Sequence, residues 1–139
     1  MLPWFFTNRF PFTDFNKVNL DFILRTLKQI TSVIVPKDFS TELEFNGSVT
    51  PTRVTAISFC GLVLVSFYVS ITSTISTPNP VLFSVPDDKA ADVDTDSVVV
   101  HSTDGAVVCA TSVNNVYLDT LAGASVGTVK GSMFWKIAT

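Results

Sequence analysis

From residue 63 the chain alternates. Val63, Val65, Phe67, Val69, Ile71 and Ile75 fall on odd positions, while Ser66, Ser70, Thr72, Thr74 and Ser76 fall on even ones. A period of two is that of a β-strand with one buried face. Runs rich in β-branched residues recur at 54–59, 62–71, 81–85, 98–101, 106–111, 116–121 and 131–138. Turn residues separate them, with Pro78-Asn79-Pro80 closing one run and Thr103-Asp104-Gly105 giving a hairpin signal. Short strands at spacings of roughly eight to twelve residues, with no helical pattern between them, predict an antiparallel β-sandwich of jelly-roll type over residues 54–139.

A different period precedes the strands. Leu20, Ile23, Leu27, Ile30 and Ile34 step by three, four, three and four residues, which makes an a/d seam on a helix over residues 17–35. Asn16 or Asn19 can cap this helix, Asp21 then falls in its first turn, and Pro36 stops it. Isoleucine at both d positions, Ile23 and Ile30, favours three or more strands over two. So short a seam does not associate stably by itself, and an amphipathic helix packed on its own β domain remains the alternative. Residues 36–53, with Pro36, Asn46-Gly47 and Pro51, read as a linker. Residues 1–16 hold Trp4, Phe5, Phe6, Phe10, Phe12 and Phe15, with Pro3 and Pro11 interrupting any regular element. A segment this short cannot shelter six large rings, so they either fold back on the rest of the chain or dock into pockets of another protein.

Composition sharpens this reading. Of 139 residues, 47% are hydrophobic and only 15% charged, which excludes disorder. Mean hydropathy is +0.43, high for a lone small domain, so a membrane or a partner subunit must take up the excess. No charged residue lies between Arg53 and Asp87, a window long enough to span a bilayer, but its period of two argues against a membrane span. Twelve acidic against nine basic residues, net −3, remove the electrostatic footprint of nucleic-acid binding. The first residues lack the basic and apolar regions of a secretory signal. A reducing cytoplasm is therefore expected, with Cys60 and Cys109 as small buried hydrophobes and no role for the sequon Asn46-Gly47-Ser48.

No catalytic constellation emerges. Gly123-Ala124-Ser125-Val126-Gly127 matches a nucleophile elbow, but no Asp, Glu or His follows Ser125, so a glycine-rich loop accounts for it better than a small hydrolase does. Asp92-Val93-Asp94-Thr95-Asp96 starts like a calcium loop. Ser97 stands where glycine is due and Thr103 where glutamate is due, which leaves a solvated acidic loop, or at most a looser calcium site with Asp87 and Asp88. His101 has no partner cluster and reads as an ordinary strand residue. The expectation is a non-enzyme without cofactor or metal.

Two segments carry a family resemblance. Phe10-Pro11-Phe12-Thr13-Asp14-Phe15, followed by Asn19-Leu20-Asp21-Phe22 at the start of the helix, resembles the N-terminal signature of small structural proteins of tailed bacteriophages. The part from Gly61 through Val85-Pro86 to Ser132-Met133-Phe134-Trp135-Lys136-Ile137 is similar to the β-sandwich knobs of phage head and tail fibres. The chain departs from the knob pattern after Pro86, where Asp87-Asp88-Lys89-Ala90-Ala91 replaces a glycine, an aromatic and a proline. The resemblance implies a virion structural protein made in the host bacterial cytoplasm, a homotrimeric head fibre or capsid or tail appendage. It implies docking to a capsid, collar or tail protein through residues 1–16, and a knob that adheres to bacterial surface glycans. A soluble carbohydrate-binding module without a virion role is the alternative.

Overall fold

The computed structural model describes residues 17–139, and within the helix the side chains of residues 20–29. They divide into two units, a helical one ending at Val35 and a β unit over Pro36–Thr139. Helix α1 spans Lys17–Ile34 and ends two residues before Pro36, whose ring excludes the helical conformation from the residue preceding it. Because the helix already starts at Lys17, Asn19 lies inside it and does not cap it. Asp21 falls past the first turn, a correction to the expected N-terminus. On the seam, Leu20 and Leu27 are exposed and Ile23 is half-buried, while the side chains of Ile30 and Ile34 lie outside the described residues. No helix among the described residues is long and apolar enough to cross a membrane.

The β unit contains nine strands: β1 (Lys37–Asp38), β2 (Glu44–Phe45), β3 (Val49–Phe59), β4 (Leu62–Ile71), β5 (Val81–Ser84), β6 (Thr95–His101), β7 (Gly105–Ser112), β8 (Asn115–Leu118) and β9 (Gly127–Lys136). The alternation predicted for β4 is its burial pattern, with Val63, Val65, Phe67, Val69 and Ile71 all in the core. All strands pair antiparallel in one sheet of order β1-β3-β4-β9-β6-β7-β8-β5-β2, so the expected mainly-β antiparallel class holds. The two layers of the core are two halves of this one curled sheet. Phe67 on β4 meets Phe83 on β5, far away in strand order, edge to face at 5.4 Å.

The segment expected to be a linker contributes a strand to each edge of the curled sheet. β1 pairs with β3 at one edge and β2 with β5 at the other, so the few residues from Phe39 to Leu43 join both edges. Phe39 and Leu43 are themselves buried, and Ser40 Oγ accepts a hydrogen bond from the Ala56 amide at 2.8 Å. Residues 36–53 are therefore part of the β unit. Pro51 sits within β3, where the register shifts between Pro51 and Arg53, and a bulge is the place where a strand tolerates proline.

The hairpins follow their turn chemistry. The Cys60-Gly61 turn between β3 and β4 has φ of +50° and +76°, as a two-residue type I′ turn requires. The predicted Thr103-Asp104-Gly105 turn joins β6 to β7, with Gly105 at φ +80°. Cys109 is buried as expected, whereas Cys60, also expected to be buried, is exposed in the β3–β4 turn. Burial pushes the Cys109 thiol up to about 12, with the nearby Asp96 adding to the effect.

Candidate functional site

β3, β4 and β9 lie side by side, and alternation sends every second side chain to the outer face of the sheet. Register then sorts these side chains into rows. Ile57, Leu64 and Phe134 stand opposite one another in the first row, Thr55, Ser66 and Ser132 in the next, and Arg53, Tyr68 and Lys130 in the one after that. The face thus grades from apolar to hydroxyl to cationic over a few residues of strand. The apolar end forms a hollow of about 270 Å³ with Phe59 and Leu62 beside that first row. Its Phe59, Leu64 and Phe134 remain exposed at 43%, 47% and 56%.

The other end is a groove of about 410 Å³ lined by Arg53, Thr55, Ser66, Tyr68, Lys130 and Ser132. The Lys130 ammonium sits 4.5 Å from the centroid of the Tyr68 ring, a cation–π distance. None of the chain's twelve carboxylate side chains belongs to β3, β4 or β9. Neither Arg53 nor Lys130 joins one of the ion pairs found among the described residues, which are Lys89–Asp88 and Lys136–Asp92.

The acidic residues collect elsewhere. Glu42, Glu44, Asp87 and Asn114 line a second hollow of about 410 Å³. In the stretch considered for calcium, Asp87 accepts a hydrogen bond from Asn114 Nδ2 at 3.1 Å, and Asp88 and Asp92 pair with Lys89 and Lys136. Among the described residues no group of three His, Cys, Asp or Glu gathers closely enough to hold a metal ion.

His101 is more than an ordinary strand residue. It is 1% exposed, and both of its ring nitrogens are engaged. Nδ1 accepts from the backbone amides of Asp104 at 3.0 Å and Thr103 at 3.3 Å, which leaves Nε2–H to donate to the Ser125 carbonyl at 3.0 Å. The Asp104 carboxylate lies 3.1 Å from Nδ1. The ring clamps the β6–β7 turn to the glycine-rich loop. It meets Ser125 at the carbonyl and not at the hydroxyl, so the contact is no nucleophile–base pair. That loop is built by packing. Ala124 bridges to Ile75, and Gly123, at φ +77°, has no room for a Cβ against the Ile75 carbonyl.

Of the residues singled out from sequence, Trp4, Phe5, Phe6, Phe10, Phe12 and Phe15 lie outside the described residues. The row Arg53–Tyr68–Lys130 escaped notice because β9 is remote in sequence from β3 and β4. The available signal was the lack of acids across 49–71 and 127–136.

No family model matches this sequence, and no curated protein matches it. The fold is similar to that of the receptor binding protein of Listeria phage PSA, known from its crystal structure. The TM-score is 0.58 at 14% sequence identity, and the match covers 86% of this chain and 77% of that one. At this identity the structural likeness shows a shared fold alone.

Proposed function

We propose that this chain is a bacteriophage virion structural protein, a trimeric head fibre or a similar capsid or tail appendage. Its N-terminal segment anchors it to another virion protein, and its β unit faces outward to adhere to the host surface. The observation that carries the reading is the fold likeness to a phage receptor binding protein, in a chain whose outer sheet face offers an open groove. The aromatic run at Trp4–Phe15 and its motif resemblance support the anchor. Support for self-association comes from apolar side chains left in water. Leu20 and Leu27 are exposed on the helical seam, as are Leu64, Phe134, Val98 and Val100 on the β unit. Adhesion needs a presented surface and no chemical step, so the function is non-enzymatic.

Two measurements test the reading. Light scattering of the purified full chain should give a trimer, and a monodisperse 15.1 kDa species at micromolar concentration would refute self-association. Deleting residues 1–16 should abolish incorporation into particles while the β unit still folds. Normal incorporation would refute the anchor, and a chain that binds glycan as a monomer with a dispensable N-terminus would favour a free carbohydrate-binding module.

A further inference from the structure

We infer that the Arg53–Tyr68–Lys130 groove binds an oxyanion carried on a polyhydroxylated chain, which makes its ligand class an anionic surface glycan. This rests on the adhesion reading above and names the ligand of that surface. The first argument is electrostatic. In a chain of net charge −3, Arg53 and Lys130 stand in register on either side of the same half-buried tyrosine, on three strands that carry no carboxylate. Adjacent strands are about 4.8 Å apart, so Arg53 and Lys130 flank Tyr68 at about 10 Å between backbones, a span that their long side chains can bridge over one anionic group. The guanidinium offers a fork of donors that matches the paired oxygens of a phosphate or carboxylate, and the ammonium adds a point charge. Contact with the Tyr68 ring holds Lys130 over the groove.

The second argument is the neighbouring row. Thr55, Ser66 and Ser132 present three hydroxyls one step along the same face, each able to donate and accept. Such a ladder suits sugar hydroxyls, which need both roles, whereas a bare inorganic anion needs only donors. Phosphate-bearing and carboxylate-bearing glycans share this chemistry, and the test separates them.

Binding of the full chain to dextran phosphate, carboxymethyl-dextran and unmodified dextran is measured by calorimetry at low and physiological salt. The groove should bind one or both charged polymers, lose affinity as salt rises, and ignore the neutral one; the preferred charged polymer identifies the oxyanion. Arg53→Ala and Lys130→Ala should each weaken binding at least tenfold. Lys37→Ala, which removes an exposed cation outside the groove, should leave it within twofold, and all variants should unfold at the wild-type midpoint. Wild-type affinity in the Arg53→Ala/Lys130→Ala double variant, equal binding of neutral dextran, or no binding of either charged polymer overturns the inference. Adsorption to cells of the infected bacterium is followed in parallel. Equal adsorption of wild type and double variant overturns the groove assignment and leaves adhesion standing. Failure of the wild type to adsorb, with charged dextran still bound through the groove, removes adhesion alone.

Discussion

A single methyl group added at Gly131 should cost the β unit about 2 kcal/mol, worked out as follows from its surroundings. Gly131 occupies an inward position of β9 between buried Val129 and Met133. A Cβ there would lie 2.2 Å from Val99 Cγ1 and 2.7 Å from Val99 Cβ. Val99 is 1% exposed and β-branched, so it has neither free space nor a second good rotamer to escape into. Overpacking of this kind costs about 1–3 kcal/mol, and the upper end applies because the stiff part of the side chain is struck. Alanine returns about 0.4–1 kcal/mol by restricting the unfolded chain. The net loss of about 2 kcal/mol should lower the melting temperature by about 10 °C for a unit of this size. Val99→Ala alone removes two methyl groups and leaves a void, again about 2 kcal/mol. In the double variant Gly131→Ala/Val99→Ala the new methyl enters the space that the valine vacates, so the combined loss should be about 2 kcal/mol and not the additive figure of about 4. Urea unfolding followed by far-ultraviolet circular dichroism on all four chains completes the cycle. A double variant within about 0.5 kcal/mol of the additive sum would show that Val99 does not fill the place of the missing side chain.

Three further outcomes are expected. Gly123→Ala should cost more than about 3 kcal/mol, because its Cβ would strike the Ile75 carbonyl at a left-handed backbone position, whereas Ser125→Ala should change stability by under about 0.5 kcal/mol because the carbonyl bonded to His101 is kept; thermal melts of the two variants decide it. Val113, a β-branched residue held at φ +55° and 65% exposed, should give about 0.5–1 kcal/mol of stability on replacement by asparagine, which tolerates that region, and an unchanged or lower urea midpoint would contradict this. The buried Cys109 thiol stays protonated in the folded chain up to about 12, while the unfolded thiol ionises near its ordinary value of about 8.5; its contribution is complete below that pH and is lost as pH rises from there towards 12, at up to about 1.4 kcal/mol per unit. Urea midpoints from pH 8 to 11 should fall more steeply for wild type than for Cys109→Ala, and parallel profiles would refute the assignment.

How much of this was legible in the sequence depends on the range of the signal. β4 was legible residue by residue, since period two is a local property and its buried face is continuous from Val63 to Ile71. β1 and β2 were not, because two residues have no period, and Phe39 and Leu43 declare themselves core only once the sheet curls over them. β9 begins four residues earlier than its hydrophobic run, at Gly127, because glycine and threonine there join the ladder through backbone groups alone. β8 ends at Leu118, and Leu121, expected in a strand, is 84% exposed. His101 passed for an ordinary strand residue because its partners are two backbone amides and a carbonyl, groups that every residue carries. The recognition row could not be read at all without the β4–β9 register, which pairs Tyr68 with Lys130 across more than half of the β unit's sequence.

The uncharged window between Arg53 and Asp87 first raises the question of a membrane, and the sheet gives it another meaning. β4 lies at its centre, flanked by β3 and β9, with one face in the core and the other in water. A carboxylate on that outer face would sit one strand spacing, about 5 Å, from Arg53 or Lys130 and would neutralise it. At physiological salt, an acid more than about 8 Å from the groove is largely screened from it. A net charge of −3 weighs against binding along an extended phosphate backbone, which needs a broad cationic surface, and it does not govern a pocket for a single oxyanion. There the local count decides, and on β3, β4 and β9 that count is wholly positive.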